Sequence, residues 1–178
     1  MTKSYLAVPA AFDAAECDAI IALAGAMEAA PVYGGGERQI DPAVRNVRSR
    51  LIARAEAGWL FERLDALLAL GGAEFGLPVG PIAEQIQLLR YDEGGHFALW
   101  HTDGGTDADR QRLVSLSIEL SEREDYEGGE LETVPDLIGR TRTLPRGSAQ
   151  LFPSRALHRV TPVTRGTRWA LVAWTGGP

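Results

Sequence analysis

The chain has 178 residues, 45% of them apolar and 24% charged, which is enough for one globular domain with a hydrophobic core. No apolar run approaches the roughly 18 residues that a membrane-spanning helix needs, and the amino terminus lacks the basic-then-apolar pattern of a leader, so a soluble, cytoplasmic protein is expected. A formal charge of -6, from 24 acidic against 18 basic residues, supplies no global field for nucleic acid or an anionic membrane, and neither is expected as a partner.

Phe12, Asp13 and Glu16 stand in the order of an apolar residue, an N-cap and an N3 acid. Cys17, Ile20, Ile21, Leu23, Ala24 and Met27 follow at helical spacing, which predicts a helix over 13–29. Pro31 and Gly34-Gly35-Gly36 break it, and the stretch to Pro42 reads as a mobile surface loop. Arg45 to Ile52 reads as a short strand. Trp59, Leu60, Leu64, Leu67 and Leu68 form the apolar stripe of a second helix over 55–72, ending at Gly71-Gly72.

From Ile82 onward, short apolar runs alternate with glycine, proline and acidic turns. Strands are expected near 84–91, 96–102, 112–120, 129–133, 140–144, 148–152, 157–162 and 167–174. So many short strands fit a small barrel or a two-sheet jelly roll better than a parallel sheet with crossover helices. The helices would cover one outer face. No repeat or linker divides the chain, so 1–178 reads as a single domain with helical support over 1–80 and a β core over 81–178.

Rare residues narrow the chemistry. Lys3 is the only lysine among the 18 cations, which sets aside Schiff-base catalysis. Cys17 is the only cysteine; it sits among Ala14, Ala15, Ala19 and Ile20 and reads as a small buried hydrophobe. Any imidazole ligand or base must be His96, His101 or His158.

In His101-Thr102-Asp103, residues i and i+2 of a strand project to the same face, so imidazole and carboxylate can converge. His158 lies on another short strand. Two histidines and a carboxylate on one face of a metal octahedron leave positions open, the arrangement of non-haem Fe(II) oxygenases. A His-x-Asp tripeptide alone also arises by chance, and a lone histidine is often only a hydrogen-bonded structural residue. Arg168 opens the terminal strand behind the turn Pro162–Gly166, which can fold it back beside His158. There a guanidinium could grip a carboxylate bidentately, as a dicarboxylic co-substrate requires; on composition alone it would read as a surface cation.

Taken in order, Tyr91-Asp92-Glu93-Gly94, His101-Thr102-Asp103, Tyr126-Glu127-Gly128-Gly129-Glu130-Leu131, Leu144-Pro145-Arg146-Gly147, Phe152-Pro153-Ser154, and Leu157-His158-Arg159-Val160-Thr161-Pro162-Val163 with Gly166 and Arg168-Trp169 resemble the successive motifs of Fe(II)- and 2-oxoglutarate-dependent oxygenases. Within that superfamily they are similar to the prolyl-4-hydroxylase-like branch, including bacterial PKHD-type hydroxylases, over residues 85–175. The resemblance implies a mainly β fold with supporting α-helices, a double-stranded β-helix (jelly roll) braced by N-terminal helices. It implies His101, Asp103 and His158 as catalytic iron ligands and Arg168 as partner of the distal carboxylate of 2-oxoglutarate. Tyr91 is then a co-substrate residue, or else a strand aromatic of the core. Fe(II), 2-oxoglutarate and O2 are the implied cofactor and co-substrates, with ascorbate in support.

Two departures stand out. Many relatives place the first histidine nine residues after the tyrosine, and here Tyr91 and His101 are ten apart. Some relatives carry an aromatic or uncharged residue where this chain has Glu119, on a strand whose Ser115, Ser117 and Glu119 share one face. Facing the site, Glu119 would repel a dicarboxylate unless it pairs with an arginine or contacts substrate.

Gln87, Trp100, Ser117, Glu119 and Trp174 are candidates for the substrate pocket. His96, an odd number of residues before His101, falls on the opposite strand face and reads as a rim or structural residue. Arg45 and Arg48 read as solvated charges by default. Segments 30–44 and 104–111 are candidate substrate covers. The expected activity is hydroxylation of a peptidyl, including prolyl, or small-molecule substrate, with succinate and CO2 as co-products. The competing reading is a cupin-type jelly-roll metal protein without that activity. Nucleic-acid demethylation is disfavoured by the acidic charge and the lack of a basic, aromatic-interleaved stretch.

Overall fold

The computed structural model describes residues 4–34, 37–104, 111–134 and 144–178. In chain order the elements are β1 (Leu6–Val8), α1 (Ala14–Ala22), β2 (Glu28–Ala29), β3 (Val32–Gly34), β4 (Glu37–Gln39), β5 (Arg45–Asn46), β6 (Arg48–Ile52) and α2 (Gly58–Phe75). There follow β7 (Ile86–Tyr91), β8 (His96–His101), β9 (Val114–Glu119), a 3-10 turn at Arg123–Asp125, β10 (Tyr126–Gly128) and β11 (Leu131–Thr133). The chain ends with β12 (Ala149–Pro153), β13 (His158–Val160), β14 (Val163–Gly166) and β15 (Arg168–Thr175).

The strands pair antiparallel into a seven-stranded sheet, β1-β12-β9-β15-β7-β6-β2, and a four-stranded sheet, β11-β13-β8-β5. The pairs β10-β14 and β3-β4 stand beside them. This is the expected mainly β architecture with two helices in support.

The period of two along each central strand divides the large sheet into two faces. Ile86 and Leu88 of β7, Leu116 and Ile118 of β9, Ala149 and Leu151 of β12, and Leu171 and Ala173 of β15 point to one side. There they pack with Cys17 and Ile20 of α1 and with Leu60, Phe61, Leu64 and Leu68 of α2. The opposite face meets the small sheet over a second apolar cluster that includes Leu89, Tyr91, Tyr126, Val160 and Val163, with Phe97 and Val172 against it. Polar side chains fill the rest of that inner face: Gln87, Ser115, Ser117, Glu119, Gln150 and Arg168 are all buried.

α1 begins with the expected capping box, in which Asp13 accepts from the Glu16 amide at 2.8 Å and Glu16 accepts from the Asp13 amide at 2.9 Å. It ends at Ala22, not at residue 29. The amides of Leu23 and Ala24 turn back to the carbonyls of Ile20 and Ile21, tightening the last turn. Arg50 donates to the Leu23 carbonyl, and Glu28–Ala29 leaves as a strand paired with β6.

α2 runs through Gly71-Gly72 to Phe75 and stops at Gly76, whose φ is 67°. The Leu77 amide reaches back to the Gly72 carbonyl at 2.8 Å, a Schellman closure. The glycine pair that suggested a stop is a place of close approach. A Cβ on Gly71 would come within 2.8 Å of Leu151 Cδ2, and one on Gly72 within 2.5 Å of Val79 Cγ2.

The strand expected over Arg45–Ile52 is two strands. The chain crosses from the small sheet to the large one at buried Val47, whose carbonyl accepts from Ala30. The segment expected as a loop to Pro42 carries the β3–β4 pair, while Gly35 and Gly36 lie outside the described residues. The described residues among the first 80 therefore bring six strands as well as two helices. Most of the strand expected near 140–144, and residues 105–110 of the expected cover 104–111, also lie outside the described residues. Among the described residues no helix is long and apolar enough to cross a membrane.

Candidate active site

β8 ends at His101 and β13 begins at His158, and the two are Cα partners across the pair. Asp103 follows in a bend tied to the end of β12: its amide and that of Gly104 donate to the Ser154 carbonyl at 2.8 and 3.0 Å. One ligating atom from each of His101, Asp103 and His158 lies within 4.8 Å of the others.

His101 Nδ1 stands 2.8 Å from the Leu99 carbonyl and His158 Nδ1 stands 3.1 Å from the Ala156 carbonyl. A carbonyl only accepts, so each Nδ1 carries a proton and each Nε2 is left toward the cluster. His158 Nε2 faces Asp103 Oδ2 at 3.4 Å. Two acceptors at that distance need a proton or a cation between them: a proton there makes the His158–Asp103 hydrogen bond, and a metal ion would take its place.

The remaining contacts hold the cluster in place. His101 stacks on Phe97 with ring centroids 3.7 Å apart, and Phe152 packs 4.9 Å from the His158 ring. Ser115 Oγ donates to Asp103 Oδ2 at 2.7 Å and shares a hydrogen bond with Ser154 Oγ at 2.8 Å.

The electrostatics follow from these contacts. Burial, helped by the neighbouring His158, pushes the His101 pKa down to about 4, so the ring is neutral and ligand-ready at neutral pH. Burial would also lower His158, but the Asp103 charge and hydrogen bond outweigh it and raise the pKa. Burial would raise Asp103; His158, with hydrogen bonds from His158, Trp174 and Ser115, holds it well below the usual carboxylate range.

Arg168 opens β15 opposite Tyr91 of β7, and its guanidinium carbon lies 5.6 Å from the Tyr91 ring centroid. It is 2% exposed, and its Nε donates to Glu119 Oε2 at 2.9 Å; Glu119 is 4% exposed and also accepts from the Ser121 amide. Burial pushes the Tyr91 hydroxyl up, against the pull of Arg45 and Arg168.

The structure gathers most of the candidate pocket residues on this inner face. Gln87 Oε1 accepts from Arg45 Nη2 at 3.0 Å, Ser117 is buried in register between Val172 and Gln150, and Trp174 lies under Arg112 with the guanidinium carbon 3.8 Å from its ring. Trp100 is not among them. It alternates to the other side of β8, is 37% exposed and carries Arg159 at 4.7 Å over its ring. His96 shares that other side, paired with Asn46.

Arg45 is the residue that sequence reasoning left in solvent. It pairs with Phe97 across β5 and β8, stands 4.9 Å over that ring, and donates to the Pro31 carbonyl at 2.9 Å. Only the pairing partner fixes its direction, and no residue pattern encodes that partner. Arg48 is exposed as expected.

A jelly roll with a His-Asp-His cluster between its sheets is the architecture of the non-haem iron oxygenases. The chain belongs to the 2OG-Fe(II) oxygenase superfamily, whose family model matches residues 86–176. It is 45% identical over 92 residues to a PKHD-type hydroxylase of Paracoccus denitrificans, covering 48% of this chain and 40% of the relative. A PKHD-type hydroxylase of Delftia acidovorans is 33% identical over 164 residues, covering 84% of this chain and 70% of the relative. The chain spans only 40 to 43% of the first curated relatives it matches. A solved prolyl-4-hydroxylase from Pseudomonas putida shares the fold, with a TM-score of 0.74 at 21% identity over 99% of this chain and 94% of that one.

Proposed function

We propose that the chain is a 2-oxoglutarate-dependent hydroxylase acting on a peptidyl, including prolyl, or small-molecule substrate. The observation that carries the reading is the convergence of His101, Asp103 and His158 with both Nδ1 atoms already committed to backbone carbonyls. These three residues hold Fe(II). Fe(II) held there would supply, with 2-oxoglutarate and O2, the oxidative chemistry of hydroxylation, with succinate and CO2 as co-products.

The chain's own residues do the rest. Arg168 takes the distal carboxylate of the co-substrate, and Tyr91 walls the same end of the pocket. Ser115 and Trp174 hold the Asp103 carboxylate in place and ionised. The apolar cluster around Leu89, Val160 and Phe97 keeps water from the space between the sheets. The names of the PKHD-type relatives and of the Pseudomonas neighbour support the hydroxylase assignment and the prolyl option.

The test is a turnover screen with Fe(II), 2-oxoglutarate and ascorbate against peptide, amino-acid and metabolite pools. The expected result is succinate release coupled to a substrate gaining one oxygen atom. A chain that binds Fe(II) but neither binds nor consumes 2-oxoglutarate would be a metal protein of cupin type instead.

A further inference from the structure

Glu119 is a buried carboxylate that the proposed chemistry does not use, placed against the one cation that the co-substrate needs. Its Oε2 stands 2.9 Å from Arg168 Nε, and both side chains are almost fully enclosed. A second hydrogen bond from the Ser121 amide fixes its other oxygen, and Tyr126 packs beside the pair. The guanidinium beside this enclosed carboxylate matches its charge.

The contact runs through Nε, one side of the planar fork, and not through the terminal edge formed by Nη1 and Nη2. Glu119 therefore removes the net positive charge of Arg168 without taking that terminal edge. An incoming distal carboxylate would meet a guanidinium whose charge is already matched, with a second carboxylate sharing it.

We propose that Glu119 is a specificity-determining residue: it weakens the preference of this chain for a 2-oxo dicarboxylate over a 2-oxo monocarboxylate of equal length. The inference rests on the co-substrate site proposed above. Glu119→Gln keeps a side-chain acceptor for Arg168 Nε while restoring the positive charge, so it should tighten 2-oxoglutarate and leave 2-oxopentanoate, which lacks the distal carboxylate, unchanged.

The experiment is calorimetric titration of the Fe(II)-loaded wild-type chain and the Glu119→Gln variant, under argon, with each of the two acids. The expected result is a Kd ratio between them that rises about tenfold or more in the variant, through 2-oxoglutarate alone. A ratio that stays level or falls overturns the proposal. Should the variant fail to fold, the wild type decides: a ratio beyond about a hundredfold shows full charge selection and overturns it, and a ratio under about tenfold supports it. Binding of neither acid to the wild type overturns the co-substrate reading and this inference together, whereas tight 2-oxoglutarate binding with an unmoved ratio removes only the role of Glu119.

Discussion

His101 and His158 face one another as strand partners, and each turns its Nδ1 onto the carbonyl two residues before it, Leu99 for one and Ala156 for the other. The backbone thus sets both tautomers before any metal arrives. Alanine at His101, Asp103 or His158 is expected to lower Fe(II) affinity by about a hundredfold or more and to abolish 2-oxoglutarate turnover. Titration with Fe(II) under argon checks it, and unchanged affinity in any one variant removes that residue from the ligand set.

Ser115 does not point at the metal position but at the acid beside it, donating to Asp103 Oδ2 at 2.7 Å. Ser115→Ala takes away one of the hydrogen bonds that hold the Asp103 pKa down, so that pKa rises toward its ordinary value. Iron affinity should fall about tenfold with the fold intact, and the pH below which iron dissociates should move upward. Fe(II) binding measured from pH 5 to 8 is the check, and superimposable curves would contradict it.

Arg168→Ala has two consequences that can be separated. Co-substrate affinity falls, and Glu119 is left buried without its cation, which costs about 3–5 kcal/mol of stability. The double variant Arg168→Gln with Glu119→Gln should recover most of the stability and none of the 2-oxoglutarate binding. Denaturant unfolding alongside calorimetry distinguishes the two; recovery of both would place the anchor elsewhere.

Glycine substitutions sort by what a Cβ would meet. At Gly147, φ is 80° and an added Cβ would stand 1.9 Å from the Phe12 carbonyl oxygen, so Gly147→Ala is expected to cost more than about 2 kcal/mol. Gly58, the first residue of α2, has nothing within 4 Å of such an atom, and Gly58→Ala should be neutral or stabilising by up to about 1 kcal/mol. Thermal and denaturant melts of the pair test the contrast.

What could be read from the chain tracks how local the signal is. The Asp13–Glu16 box is a contact between residues three apart, and the central strands announce themselves because apolar and polar residues alternate along them. The β3–β4 pair was missed because Glu37–Gln39 is wholly exposed and carries no alternation. The end of α2 was set too early because Gly71-Gly72 looks like a stop unless Leu151 and Val79, distant in sequence, are known to press on it. The site divided in the same way. His101, Asp103, His158 and Arg168 stood out by order and spacing, whereas the direction of Arg45 depends on its pairing with Phe97, and the ion pair of Glu119 with Arg168 joins positions 49 residues apart. Trp100 stands next to His101 in the chain, and the parity of β8 puts it on the other side of the strand.

The two-faced large sheet has a consequence for how this chain can change. Along β9, Val114, Leu116 and Ile118 belong to the helix-packed side while Ser115, Ser117 and Glu119 lie on the polar inner face, so neighbouring codons answer to different structural demands. Substitutions at the odd positions change the polar inner face while the even positions go on holding the scaffold together. A deletion of one residue would exchange the two sets and lose both at once.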